Sequence, residues 1–243
     1  MWRVVLAFVV GKRTQENADL LLDRVKDVTD GHILFFTSDQ LPEYDDALLH
    51  TYGVWVQPER KGDRGRYPQP RLVPTTDLLY AQVVKVREHG RVTEVKTKVV
   101  FGKPEAIADK LAHSSVSDTI NTSFVERDNV TQRQSNRRLT RRTNGFSKAI
   151  IWFEKQRWLS MASYHFVLPH HSLRQPLETP KPTRGTGTPK RWKPITPAMA
   201  AGMTDHVWTT TEWLSYRVPA QFSDQLSKIK PLFALPDEVH QGK

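Results

Sequence analysis

Apolar residues fill positions 4–10 without a break, and the run ends at Gly11. A short β-branched and aromatic block closed by glycine predicts a buried strand over residues 3–10. The period then changes. Ala18, Leu21, Leu22 and Val25 recur at three- and four-residue steps while Glu16, Asp23 and Lys26 fall between them. That pattern predicts an amphipathic helix over 15–28, which Thr14 can cap and Gly31 can end. Residues 32–37 read as a second buried strand, with Ser38 and Asp39 at its carboxyl end, where open α/β sheets carry ligands and chemistry. Pro42 opens the next helix and Gly53 closes it.

From 57 to 74 the chain turns to Pro, Gly and Arg, which predicts an exposed loop. Residues 79–87 and 91–101 read as strands joined at His89-Gly90, a hairpin turn. A helix over 104–112 follows. After a Ser-rich connection, 124–139 predicts a strongly basic helix, and 146–166 a helix whose broad apolar face, with Trp152, Trp158 and Tyr164, belongs in a core. Residues 179–194 are rich in Pro and carry five Lys or Arg with no acid, a linker or an arm lying on an anion. No internal repeat is present. The organisation expected is one α/β domain over 1–175 with an insertion at about 57–103, then a Pro-rich basic linker and tail over 176–243.

Composition narrows the partners. Lys plus Arg outnumber Asp plus Glu by 36 to 26, a net charge of +10, so a polyanion is the first partner to consider, nucleic acid ahead of an anionic membrane. With no cysteine, disulfides, iron–sulfur clusters, thiolate zinc and cysteine nucleophiles are excluded. The seven-residue apolar run is far short of the ~20 residues a membrane span needs. No small-residue cleavage site follows it, so it reads as a strand of a cytoplasmic protein rather than a signal peptide.

Asp39 at a strand end and Glu126 on a later helix are the carboxylates that attract attention. Phosphodiester chemistry at a two-metal site needs converging acidic ligands, and magnesium accepts a few carboxylates with several waters. The plainer reading is that Asp39 caps the helix at Pro42 and Glu126 neutralises Arg127 or a neighbour. Glu126, Asn129, Arg133 and Arg137 follow helical steps and form one stripe, an acid beside guanidiniums that grip phosphate. Between Glu126 and Lys148 seven bases face two acids. A solvated basic helix explains that equally. His165, His170 and His171 lack a carboxylate at metal-ligand spacing; His170 or His171 reads as a cap, a hydrogen-bonding group or a phosphate contact. Trp192, amid Lys190, Arg191 and Lys193, either stacks on a base or makes a docking contact.

Taken in order, several blocks resemble bacterial insertion-sequence transposases with an Asp-Asp-Glu site on an RNase H-like fold, closest to the insertion sequence 1 family. They are Val9-Val10-Gly11-Lys12-Arg13-Thr14, Phe36-Thr37-Ser38-Asp39 with Leu41-Pro42-Glu43-Tyr44, and Asn121-Thr122-Ser123-Phe124-Val125-Glu126-Arg127. Gln132-Arg133-Gln134, Leu139-Thr140-Arg141-Arg142, Gly145-Phe146-Ser147-Lys148 and the segment from Tyr164 to Arg174 continue the match. The resemblance implies a mobile-element enzyme that cleaves and transfers DNA strands at element ends. Its sheet would be mixed, with flanking helices, of the retroviral-integrase type. Asp39 and Glu126 would be catalytic ligands of two Mg2+ or Mn2+ ions. Arg127, Asn129, Arg133, Arg137, Arg138, Arg141, Arg142, Lys148, His170 and Arg174 would contact double-stranded DNA of the ends and target. A homo-oligomeric synaptic complex is implied, on the nucleoid when bound to DNA.

The match has gaps. The family's first catalytic Asp would fall upstream of Met1, on a strand flanked by residues 3–10 and 32–37, and the amino-terminal DNA-binding region has no counterpart. The expectation is a truncated copy, decayed or read from a late start, with two unpaired strand edges prone to aggregation. Asp128, His165 and Leu168 also depart from the pattern. The rival expectation is a noncatalytic nucleic-acid-binding remnant that occupies DNA or pairs with an intact transposase; a structural or membrane-surface protein ranks last.

Overall fold

Two apolar helix stripes and one strand that is buried on both faces organise residues 5–130. The computed structural model of the chain describes residues 2–60, 62, 67–140, 144–183 and 185–217. It divides into two compact units, Val5–Val130 and a second that runs from Thr131 onward and includes residues 2–4.

In the first unit, α1 (Gln15–Val28) buries Ala18 and Leu22, as the sequence pattern requires. Thr14 precedes it in extended conformation, but its side chain makes no capping bond. The turn after α1 closes through His32 N–H to the Thr29 carbonyl (2.9 Å) with Gly31 at φ +77°. β1 (Phe35–Asp39) therefore starts three residues later than the hydrophobic run predicts. α2 (Glu43–Tyr52) lies between Pro42 and Gly53 and buries Ala47, Leu48 and Tyr52. Gly53 is required there, since a Cβ would collide with the Leu49 carbonyl. β2 (Gly53–Val56) pairs antiparallel with β3 (Arg71–Pro74), so the expected loop over 57–74 ends in a strand.

β4 (Leu79–Glu88) is the centre of a three-stranded mixed sheet. On one side β1 runs parallel to it, from Phe35↔Leu79 to Asp39↔Val83. On the other β5 (Arg91–Phe101) runs antiparallel. The hairpin turn has His89 at φ +49° and Gly90 at φ +79°, the two left-handed residues of a tight turn whose twist suits a hairpin. The first five residues of β4 are all buried because each face is covered. Tyr80 joins the cluster of Ala18, Leu22, Ala47, Leu48, Tyr52 and Leu78. Leu79 and Ala81 pack with Ile107 of α3 (Pro104–Ala112), whose bounds are those expected.

Residues 3–10 are a correction: they form no strand. An apolar segment becomes a strand only when a neighbour takes its backbone groups, and no ladder forms here. Phe8 is nevertheless buried, and its carbonyl accepts from Arg24 Nη1 at 2.6 Å. β1 keeps β4 on one side and, among the described residues, has no strand on the other.

α4 (Ser123–Ser135) opens in the first unit and ends in the second. It stops four residues short of the expected 139, because Asn136 accepts from Arg138 N–H (3.1 Å) and starts a separate 3-10 turn, Arg137–Leu139. Arg137 is thereby off the predicted helical stripe. α5 (Ile150–Ala162) is shorter than the expected 146–166 and continues as a π-turn over Ser163–Val167. Its expected core face is a second correction. Ile150, Trp152, Trp158 and Leu159 are exposed, whereas Met161 and Tyr164 are buried. Arg157 binds the buried Gln132 Oε1 at 2.8 Å. Beyond it, β6 (Gln175–Lys181) and β7 (Lys190–Lys193) make an antiparallel ribbon. The short α6 (Pro197–Ala200) and α7 (Thr210–Ser215) complete the described chain, whose helices include none long and apolar enough to cross a membrane.

Candidate active-site cleft

The side of β1 away from β4 borders a cleft of about 600 Å³. Every residue from Leu34 to Asp39 lines it, as do Leu6 and Ala7 of the amino-terminal segment. Leu21, Leu22 and Val25 of α1 supply apolar wall, and α4 contributes Val125, Glu126 and Asn129. The two carboxylates singled out in the sequence thus open onto one space. β1 brings Asp39 by ending there, and α4 brings Glu126 by starting three residues earlier. Neither carboxylate is deeply buried: Asp39 is exposed and the Glu126 side chain is 55% exposed.

Glu126 is already engaged. Lys85 Nζ of β4 donates to its Oε1, and Thr122 Oγ1 donates to the same oxygen at 3.0 Å. The Lys85 ammonium first, and the Thr122 hydroxyl second, hold its carboxyl below the usual carboxylate range. The plainer reading, in which Glu126 neutralises Arg127 or a neighbour, fits this pair, with Lys85 as that neighbour.

Behind Asp39 a polar chain runs from β1 to α2. Ser38 Oγ lies 2.7 Å from Tyr80 Oη, and Gln82 Nε2 donates both to Tyr80 Oη (2.9 Å) and to Asp45 Oδ1 (2.6 Å). Tyr80 and Gln82 stand two apart on β4 and so share a face. Burial raises the Tyr80 hydroxyl and also raises the Asp45 carboxyl. These bonds, two of whose groups (Tyr80 and Gln82) are buried, tie the end of β1 to β4 and α2.

Asn129 lines the cleft; Arg127 does not. Arg133, Arg137, Arg138, Lys148, His170 and Arg174 belong to the second unit. Arg138 donates to Ser147 Oγ (2.7 Å), and His170 Nδ1 accepts from Ser172 N–H (3.3 Å), so His170 acts as the cap of a turn. Arg141 and Arg142 lie outside the described residues. His165 is half-buried, and desolvation lowers its imidazole. Lys85, Thr122, Tyr80 and Gln82 were missed by sequence reasoning. Thr122 had a signal, a hydroxyl four residues ahead of Glu126 at a helix start; the others depend on strand pairing.

As a metal site the donor set is thin. Among the described residues no three His, Asp or Glu side chains converge. Two carboxylates suit one hydrated magnesium better than a two-metal pair. Comparison with protein-family models, with curated proteins and with solved structures finds no match to this chain.

Proposed function

We propose that residues 5–130 belong to a DNA strand-transferring catalytic domain of RNase H-like type, the transposase class that the sequence resembles. The observation that supports this reading most is that Asp39 and Glu126 line one cleft beside β1, whose far side carries no strand among the described residues. Those two side chains would hold a magnesium or manganese ion, which when bound polarises a phosphoryl oxygen. Lys85 neutralises Glu126 and must yield it to the ion. A further carboxylate, on a strand laid along β1, would complete the ligand set.

A noncatalytic nucleic-acid-binding role is favoured by a different observation, the Lys85 ammonium seated on Glu126. A lysine paired in that way is itself the cation, and no metal is then required. Strand transfer on supercoiled plasmid separates the readings. The enzyme reading expects metal-dependent joining by a chain extended upstream by an Asp-bearing strand, falling on the order of 10³-fold or more in Asp39→Asn and Glu126→Gln. Joining that survives both substitutions would exclude it, and DNA binding with no cleavage in either form would leave the binding role.

A further inference from the structure

The two strands of the β6–β7 ribbon carry four basic side chains, Lys181, Lys190, Arg191 and Lys193, against one acid. In the register of the pair, Lys181 stands directly opposite Lys190. Like charges facing each other across an antiparallel ladder are destabilising, and an anion between them removes the conflict. Lys181, Lys190 and Arg191 are exposed and make no salt bridge among the described residues. Glu178 is the one acid between Arg174 and Lys193.

An aromatic ring shares that face. Trp192 lies two residues from Lys190 on β7, so their side chains project to the same side. The Arg174 guanidinium stacks on the indole, 4.2 Å from its centroid. The ring is still 45% exposed. A guanidinium on one side of an indole fixes its tilt and leaves surface for a second flat partner. Every base presents such a surface once it is unpaired, whereas a duplex hides base faces within its stack.

We propose that this ribbon binds single-stranded nucleic acid, with an unpaired base stacked on Trp192 and the adjoining phosphates between Lys181 and Lys190. Neither the cleft nor any catalytic step is involved, so the site stands whether or not strand transfer is found.

The test is fluorescence anisotropy of the full chain with a fluorescein-labelled oligothymidylate of about 16 nucleotides, without metal, with a duplex of equal length as competitor. Trp192→Ala is expected to weaken binding between about 5- and 150-fold, and Trp192→Phe to retain most of it. Lys181→Gln with Lys190→Gln is expected to lower the slope of log affinity against log salt by about 1.4, since each single-strand phosphate contact contributes ~0.7. The lysine pair leaves the indole in place, so it reports even if Trp192→Ala unravels the ribbon. Unchanged affinity in Trp192→Ala together with an unchanged salt slope in the lysine variant overturns the proposal. So does a duplex that competes as well as the single strand.

Discussion

The two units use similar apolar stock to opposite effect. Between residues 5 and 130 the sheet's central strand is covered on both faces, and Leu48, Leu78 and Tyr80 are almost wholly buried. In the second unit α5 leaves Ile150, Trp152, Trp158 and Leu159 exposed. Other aromatic residues of that unit pack on one another, Phe166 with Trp208 (4.5 Å between centroids) and Trp208 with Tyr216 (5.1 Å). The contrast teaches that an apolar stripe states only a capacity for burial. Which stripe is buried depends on whether another element arrives opposite it, and α2 and β4 do so for α1.

Truncations give the largest expected difference between the units. Leu48→Ala removes a side chain that is 2% exposed and should cost ~2–5 kcal/mol in urea unfolding. Trp152→Ala removes a larger one, yet the residue is 52% exposed, with Lys155 Nζ 4.8 Å from its ring centroid. Its cost should stay within about 1 kcal/mol. Equal losses would mean that α5 is buried in solution, and the comparison would fail.

A smaller effect probes the polar end of the sheet. Tyr80→Phe keeps the ring but leaves Gln82 and Ser38 short of a partner, at a cost of roughly 1–3 kcal/mol. Val95→Ala on the exposed part of β5, where the side chain is 58% exposed, should change stability by no more than about 0.5 kcal/mol. If Tyr80→Phe is as silent, the chain from Ser38 to Asp45 does not fix the strand end.

Much of this fold was legible because its signals are local. The bounds of α1 and α3, the Pro42 and Gly53 limits of α2 and the His89-Gly90 turn rest on residues within a few positions of each other. Residues 3–10 failed for a non-local reason, since a strand also needs a neighbour. The burial of Tyr80 and Gln82 likewise follows from α2 lying over β4, which no period of two reveals. In the cleft, Asp39 and Glu126 could be named from sequence as candidates, but the Lys85 contact with Glu126 joins residues 41 apart in the chain. Arg137 was misplaced by one side chain, Asn136, which caps a new turn where helical spacing expected continuation.

The smallest effect is a pH dependence at the far end of the second unit. His206 Nδ1 contacts Asp205 Oδ1 at 2.6 Å and its Nε2 contacts Glu212 Oε1 at 2.9 Å. Asp205 chiefly, then Glu212, raises the imidazole above its ordinary 6.5. Glu212 also closes the capping box of α7 with Thr209, so the imidazolium draws the acid that the helix start uses. A base with a raised folded pKa stabilises fully below its unfolded pKa, and the contribution is lost as pH rises through the folded value. The start of α7 should therefore exchange its amides faster, relative to intrinsic rates, above that folded value than at pH 6. Titration of the His206 ring by NMR should place its midpoint above 6.5, and Asp205→Asn should bring it down. A midpoint at or below 6.5 in the parent chain would show that both contacts are lost to solvent.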